Sequence, residues 1–365
     1  MALIDDQDRH EIYLAKLTTG LLNAKVYPSL EEAYKAARLI LLDAESITSI
    51  SVLRRIESSI AKEVREIYSR GWQEATEELV EMAVYEAGWS AQVTGQYLGA
   101  SLTTPAKKVI ESYINKSLMT LQSGSRVQSG TWAQYVQGSV DAVVQQYNGI
   151  VAQGYQQGRT IGQITRDIRD SSNGILKQQA EALARTGQSH YTNQAREAMA
   201  LANSDVIKYR MFSATFDNRT TLTCRGFANK IWAITDDSYP KLPLHFNERS
   251  VYVYGASKED FKRGNQAAVG GKPADDINPA RKLRYRGKKD KDIFKPGQIP
   301  ANTTQDAWLR QQPEWFQDSA LGPTRAKLFR DGGIKIDRFT DMTGKPLTLA
   351  ELRELDAEAF KRAGM

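Results

Sequence analysis

Phe212-Ser-Ala-Thr-Phe-Asp217-Asn-Arg219-Thr220-Thr-Leu-Thr-Cys224 leads through Ala228-Asn229-Lys230-Ile-Trp232 to Tyr239-Pro240-Lys-Leu-Pro243-Leu-His245-Phe-Asn-Glu-Arg249-Ser250. This stretch holds the one cysteine of the chain and one of its three histidines. It is also where the texture of the sequence changes. Val206 to Phe216 is β-branched and aromatic and reads as a strand, with further short strands at 231–234 and 250–254. Asp217, Arg219 and Thr220 suit a turn closed by side-chain to backbone hydrogen bonds, with Arg219 placed to grip a carboxylate through two nitrogens. Asp217, Arg219 and His245 read as internal braces of a small α+β module, with Trp232 and Tyr209 in its core.

Upstream, residues 1–205 read as helix after helix. Ile50, Leu53, Ile56, Ile60, Val64 and Ile67 recur at spacings of three and four, one face of a long helix. Gly71-Trp72 and Gly88-Trp89 read as breaks in it. Ser29-Leu-Glu-Glu32 and Thr160-Ile-Gly-Gln163 have the form of capping boxes, and Thr104-Pro105 reads as a helix start. Val136, Val140, Val143, Val144 and Tyr147 form a weaker stripe. Gly154 and Gly158 read as breaks, and Asp170-Ser-Ser-Asn-Gly174 as a turn. Leu176, Ala180, Leu183, Gly187, Tyr191, Ala195, Met199 and Ala202 mark a long helix whose small residues admit a close partner.

Downstream, residues 256–304 are rich in Gly, Pro, Lys and Asp and read as an extended basic arm. The end is compact again, with Thr348-Leu-Ala-Glu351 as another capping box. The expected fold is mainly α: a helical region over 1–153, a small α+β module over 154–255, the arm over 256–304 and a helical segment over 305–365.

Composition narrows the classes. A chain of 365 residues suffices for two or three modules. The net charge of +6 favours contact with nucleic acid or an acidic protein without establishing it. One cysteine excludes an internal disulfide framework. Met1-Ala-Leu-Ile-Asp5-Asp6 lacks the apolar segment of a signal peptide. No apolar run approaches the roughly 18–20 residues that span a bilayer.

Three chemistries compete at Cys224 and His245. A structural zinc site wants four Cys/His ligands. Here Thr221, Glu248 and Ser250 stand where further thiols would complete the pairs; Asp217 or Glu248 could supply oxygen, but two or three mixed ligands make a weak case. No metal or other cofactor is therefore expected. Cys224, His245 and Asp217 have the residue types of a thiol triad, but an active thiolate needs a nearby base and an electropositive setting. The expectation is that Cys224 packs as a small apolar residue while His245 hydrogen-bonds a loop. In the arm, Arg281, Lys282, Arg284, Arg286, Lys288 and Lys289 surround Tyr285 and suit phosphate contact. A solvated loop, or docking on an acidic protein, accounts for them equally.

The order of elements from about Gly158 to Tyr254 resembles the phage Mu F-like minor head (head morphogenesis) proteins. The matching residues are Ala184-Arg185-Thr186-Gly187, Asn193-Gln-Ala195-Arg196, then Asp217, Arg219, Thr220 and Cys224. The segment ending at Trp232 and Pro243-Leu244-His245 through Arg249-Ser250 complete the order. The family's thiols at 221, 248 and 250 and its acidic residue at 187 are replaced here. The C-terminal stretch, from Trp308-Leu309 through Leu321-Gly322 and Gly332-Gly333 to Leu347-Thr348-Leu349, looks like phage minor head proteins too. The resemblance implies a non-catalytic virion structural protein, inside the capsid or at the portal vertex and made in the host cytoplasm. It implies several copies per virion, contacts with portal or major capsid protein, a role in head assembly and genome ejection, and contact of the basic arm with packaged DNA. The alternatives are a phage-borne thiol hydrolase or nucleotide-modifying effector using Cys224 and His245, and a free DNA-binding protein.

Overall fold

Periodicity dictates most of the helices. The computed structural model describes residues 3–123, 126–273 and 293–365. Helix α1 (Leu3–Leu21) passes through one π-helical turn at Leu22–Val26 directly into α2 (Tyr27–Asp43). Ser29 therefore caps nothing. Its hydroxyl donates to the Val26 carbonyl, and Glu32 pairs with Arg70 instead.

Helix α3 (Ile50–Leu98) runs unbroken for 49 residues. Ser49 caps its start by accepting from Val52 N–H, and Gly99, at φ +66°, ends it in the left-handed region. The expected breaks at Gly71 and Gly88 do not occur. Gly71 is where α2 crosses: a Cβ there would lie 2.1 Å from Ser29 Oγ, so glycine serves close approach. Helix α4 (Lys107–Lys116) starts two residues beyond Pro105. The antiparallel pair β1 (Met119–Ser123) and β2 (Arg126–Gly130) follows, which the helical reading of 1–205 does not contain.

Helix α5 (Trp132–Gln156) opens with a Thr131/Gln134 capping box and buries the valine stripe. Gly154 lies inside it, against Ile164. Gly158, at φ +63°, then turns the chain into α6 (Ile161–Ser171), capped by Thr160 and Gln163 as the sequence predicts. Residues 172–176 are not a turn but a π-helical turn leading into α7 (Lys177–Ala202). The small-residue stripe of α7 lies against α3: a Cβ on Gly187 would come 2.5 Å from Trp132 and 3.2 Å from Leu79.

One core joins α2, α3, α5, α6 and the first half of α7, from Leu14 to Ala195. The last turns of α7 enter a second core, where Met199 and Ala200 meet Phe212, Cys224, Phe227 and Tyr252. Strands β3 (Tyr209–Ser213), β4 (Ile231–Ala233) and β5 (Val251–Gly255) form an antiparallel sheet in the order β4-β3-β5, with Phe212 opposite Tyr252. Alternate residues point to opposite faces. Phe212 and Tyr252 thus face the second core, while Met211, Val251 and Val253 meet Leu3 and Ile4 of α1.

The ends of the segment read as an arm are ordered. β6 (Asn265–Gly271) pairs antiparallel with β7 (Phe294–Pro300), and Phe216 bridges to Ala268. The two strands pair along their whole length and bury Ala268, which the reading of 256–304 as an extended arm does not contain. The basic run from Arg281 to Lys289 lies outside the described residues. The C-terminal part folds as short helices on Phe216, Trp308, Phe316, Phe329 and Phe339. Thr348 and Glu351 form the expected capping box, at the start of helix 349–355. No helix among the described residues is long and apolar enough to cross a membrane.

Candidate functional site

The chain leaves β3 and turns at Asp217. Its Oδ1 accepts from the Arg219 N–H at 2.9 Å, the Thr220 N–H at 3.0 Å and the Thr220 hydroxyl at 3.0 Å. The expected side-chain to backbone turn is present. Its cation is a different residue: Arg249 donates to Oδ2 at 2.6 Å and Oδ1 at 3.1 Å, while Arg219 is exposed beside a cleft. Arg219 stands on the turn itself and points outward, whereas Arg249 approaches from the strand side. Burial alone would raise the Asp217 carboxyl. Arg249 and Thr220 outweigh it and hold the group below the usual carboxylate range.

Beneath the turn, Arg225 is buried and donates to the carbonyls of Thr220 and Asp217 and to Gln305 Oε1. Burial pulls its guanidinium down to about 10 against the opposing pull of Asp217. Thr221, at a position where a paired thiol was looked for, is the N-cap of α8 (Leu222–Phe227) and accepts from the Cys224 N–H. That short helix points Cys224 inward, 1% exposed.

The second half of the site is the loop before β5. Pro243 is buried after a cis Leu242–Pro243 bond. Asn247, at φ +59°, is left-handed, and its N–H donates to Thr186 Oγ1 on α7. The Leu244 carbonyl accepts from the Gln122 N–H of β1. The loop is thereby tied to both the long helix and the first hairpin.

These ties bring three side chains together. Cys224 Sγ lies 3.2 Å from His245 Nε2 and 3.4 Å from Glu248 Oε2. His245 Nε2 lies 3.4 Å from Glu248 Oε2. His245 Nδ1 is 2.8 Å from the Phe246 carbonyl, so Nδ1 carries the proton and donates. Glu248 is buried and accepts from the backbone N–H groups of Leu244, Arg249 and Ser250. Burial, then the Glu248 charge, pushes the Cys224 thiol well up. A cleft of about 290 Å³ adjoins the cluster, bordered by Arg185, Arg219 and Asn247.

Of the residues singled out in the sequence, Cys224 and His245 meet, but Asp217 serves Arg249 and does not orient His245. Trp232 and Tyr209 are half-buried rather than central. Trp232 packs on Phe227 and Tyr252. Glu248, which the sequence offers beside Asp217 as an oxygen ligand, is the one of the two that joins Cys224 and His245. Its signal was its place at a position where a thiol was expected.

A second polar cluster centres on Arg196, which the sequence offers only as the end of the Asn193-Gln-Ala195-Arg196 resemblance. Arg196 of α7, fully buried, donates to Glu86 of α3 and Glu11 of α1, both at 2.5 Å. His10 adds a 2.6 Å contact to Glu86 and stacks on Trp89 at 3.5 Å.

Residues 145–252 match the family model described as Phage Mu protein F like protein. No curated protein and no solved structure matches the chain. The matched span runs from the second half of α5 through α6, α7, β3, α8 and β4 into β5, and it includes Asp217, Cys224, His245, Glu248 and Arg249. The likeness to the phage Mu F-like proteins thus lies in residues 145–252, which hold α6, α7 and the Cys224 site.

Proposed function

We propose that this protein is a minor head component of a phage particle and works by binding rather than catalysis. The observation that carries the reading is the Mu F-like match over 145–252. A head-morphogenesis family suggests a place in the virion and contacts with other virion proteins. The finer assignment is that the protein docks on portal or major capsid subunits, acts in assembly and genome ejection, and meets packaged DNA through residues 281–289.

The geometry at Cys224 supports a non-catalytic reading as well. A nucleophilic thiol needs to be exposed and easily ionised. Cys224 is 1% exposed with its ionisation opposed by burial and by Glu248, and His245 is oriented by a backbone carbonyl rather than a carboxylate.

Protein composition of purified particles before and after DNA release tests the reading. The protein should co-purify with intact heads, and a deletion should give defective or empty heads. Normal infectious heads from the deletion would overturn it. For the arm, reversing the charges at Arg281, Lys282, Arg284 and Arg286 should abolish DNA binding that weakens steeply with salt. Unchanged binding would assign the arm to another partner.

A further inference from the structure

We propose that Cys224, His245 and Glu248 bind one zinc ion, which clips α8 to the loop ahead of β5. His245 Nδ1 donates to the Phe246 carbonyl, so Nε2 is an acceptor facing the cluster. The Glu248 oxygens are acceptors. Only the Cys224 thiol brings a proton to a meeting of three electron-pair donors. With the imidazole neutral and the carboxylate ionised, no hydrogen lies between His245 Nε2 and Glu248 Oε2, 3.4 Å apart. A cation in their midst resolves it.

The spacing fits one ion. Bonds of about 2.3 Å to sulfur and about 2.0–2.1 Å to nitrogen and oxygen, at the tetrahedral angle, leave ligand atoms roughly 3.3–3.6 Å apart. The edges from Glu248 Oε2 are both 3.4 Å, and the Cys224–His245 edge, at 3.2 Å, needs to open by a few tenths of an ångström to admit the ion. The ligand atoms come from a buried thiol, a half-buried imidazole and a buried carboxylate and all lie within 4.8 Å of one another.

The surroundings are those of metal ligands. A ligating histidine ordinarily gives its other N–H to a carbonyl or carboxylate, which fixes its ring; Phe246 does this for His245. Glu248 is aimed by three backbone N–H groups. Among the described residues no lysine or arginine pairs with its buried charge within 4.0 Å; the neighbouring Arg249 is committed to Asp217. On binding, the Cys224 thiol releases its proton to water and the resulting thiolate joins the ion. The thiolate and the Glu248 carboxylate then offset both charges of the cation, which leaves a neutral buried unit.

One thiolate, one imidazole and one carboxylate select a borderline-soft tetrahedral ion, hence zinc over magnesium or calcium. The adjoining cleft supplies the entry path and room for water as the fourth ligand.

The test uses the whole purified chain, stripped with a chelator and titrated with zinc, with elemental analysis of the reloaded protein. One zinc per chain is expected, with a rise in thermal midpoint. Cobalt loaded in place of zinc should show the charge-transfer absorption of a thiolate–cobalt bond. Glu248→Gln and His245→Gln should each weaken zinc binding at least about tenfold, the loss that even supporting partners of a metal ligand cause. Absence of stoichiometric zinc from the folded wild-type chain would overturn the proposal, with no variant needed. So would a cobalt spectrum without thiolate absorption, or undiminished zinc in a folded Cys224→Ser variant.

Discussion

Arg249 holds Asp217 with both terminal guanidinium nitrogens, at 2.6 and 3.1 Å, across 32 residues of chain. The pair joins the turn after β3 to the residue that follows Glu248, so it braces both halves of the site. Removing the arginine leaves a largely buried carboxylate without its cation. Arg249→Leu should cost about 2 kcal/mol. That is less than the 3–5 kcal/mol of a fully buried pair, because the Arg249 side chain is 35% exposed. Arg219→Leu, on the exposed side of the same turn, should stay within about 0.5 kcal/mol. Denaturant unfolding of both variants checks this. Equal losses would return the role of brace to Arg219.

Acid stability should depend on His190 of α7. The ring is buried, neither nitrogen has a side-chain partner, and burial lowers its pKa to about 4 from an ordinary 6.5. Between those values the unfolded chain binds a proton that the folded chain refuses, so stability falls as pH drops from about 6.5 to about 4. A depression of this size corresponds to roughly 3 kcal/mol. His190→Leu should flatten that limb of the stability–pH curve; an unchanged slope would show that other groups cause it.

The Arg196 network should decide whether α1 stays docked. Arg196→Met leaves Glu86, fully buried, facing only His10, and should cost about 3–5 kcal/mol. Limited proteolysis should then cut within α1 before the rest of the chain. Uniform resistance to cleavage would show that the apolar contacts of α1, through Leu3 and Ile4 with the sheet and Leu14 and Leu21 with the helical core, suffice without it.

Gly187 should refuse the acidic side chain that the family resemblance puts there. Alanine improves helix propensity by about 1 kcal/mol, yet its Cβ would collide with the Trp132 ring, a misfit worth about 1–3 kcal/mol. Gly187→Ala should therefore be neutral to mildly destabilising, and Gly187→Glu should prevent stable folding. Thermal unfolding of both separates packing from propensity, because a stabilised Gly187→Glu would mean that Trp132 moves aside freely.

What was legible in the sequence was local. The stripe of α3 from Ile56 to Ile67, the stripe of α7 as far as Met199 and the capping box at Thr160 rest on contacts within a few residues and stand in the structure as read, whereas Ile50 and Ala202, read on the same faces, are exposed. The Asp217 turn was legible for the same reason, since its donors lie two and three residues on. The misreadings were tertiary. Gly71 and the segment 170–174 carry the residues of breaks, yet the helix continues at both places. At Gly71 the missing Cβ makes room for Ser29, and that close packing offsets the modest penalty of glycine in a helix. Ser29 has the pattern of a cap, but the chain before it was already helical. The partners of Cys224 and Asp217 come from 21 to 32 residues away, brought in by a loop anchored on Thr186 and Gln122. Spacing along the chain determined which residues could be helix, turn or cap. Only the fold decided that Arg249 rather than Arg219 neutralises Asp217, and that Glu248 meets Cys224 and His245. Both depend on distances across space that no local pattern encodes.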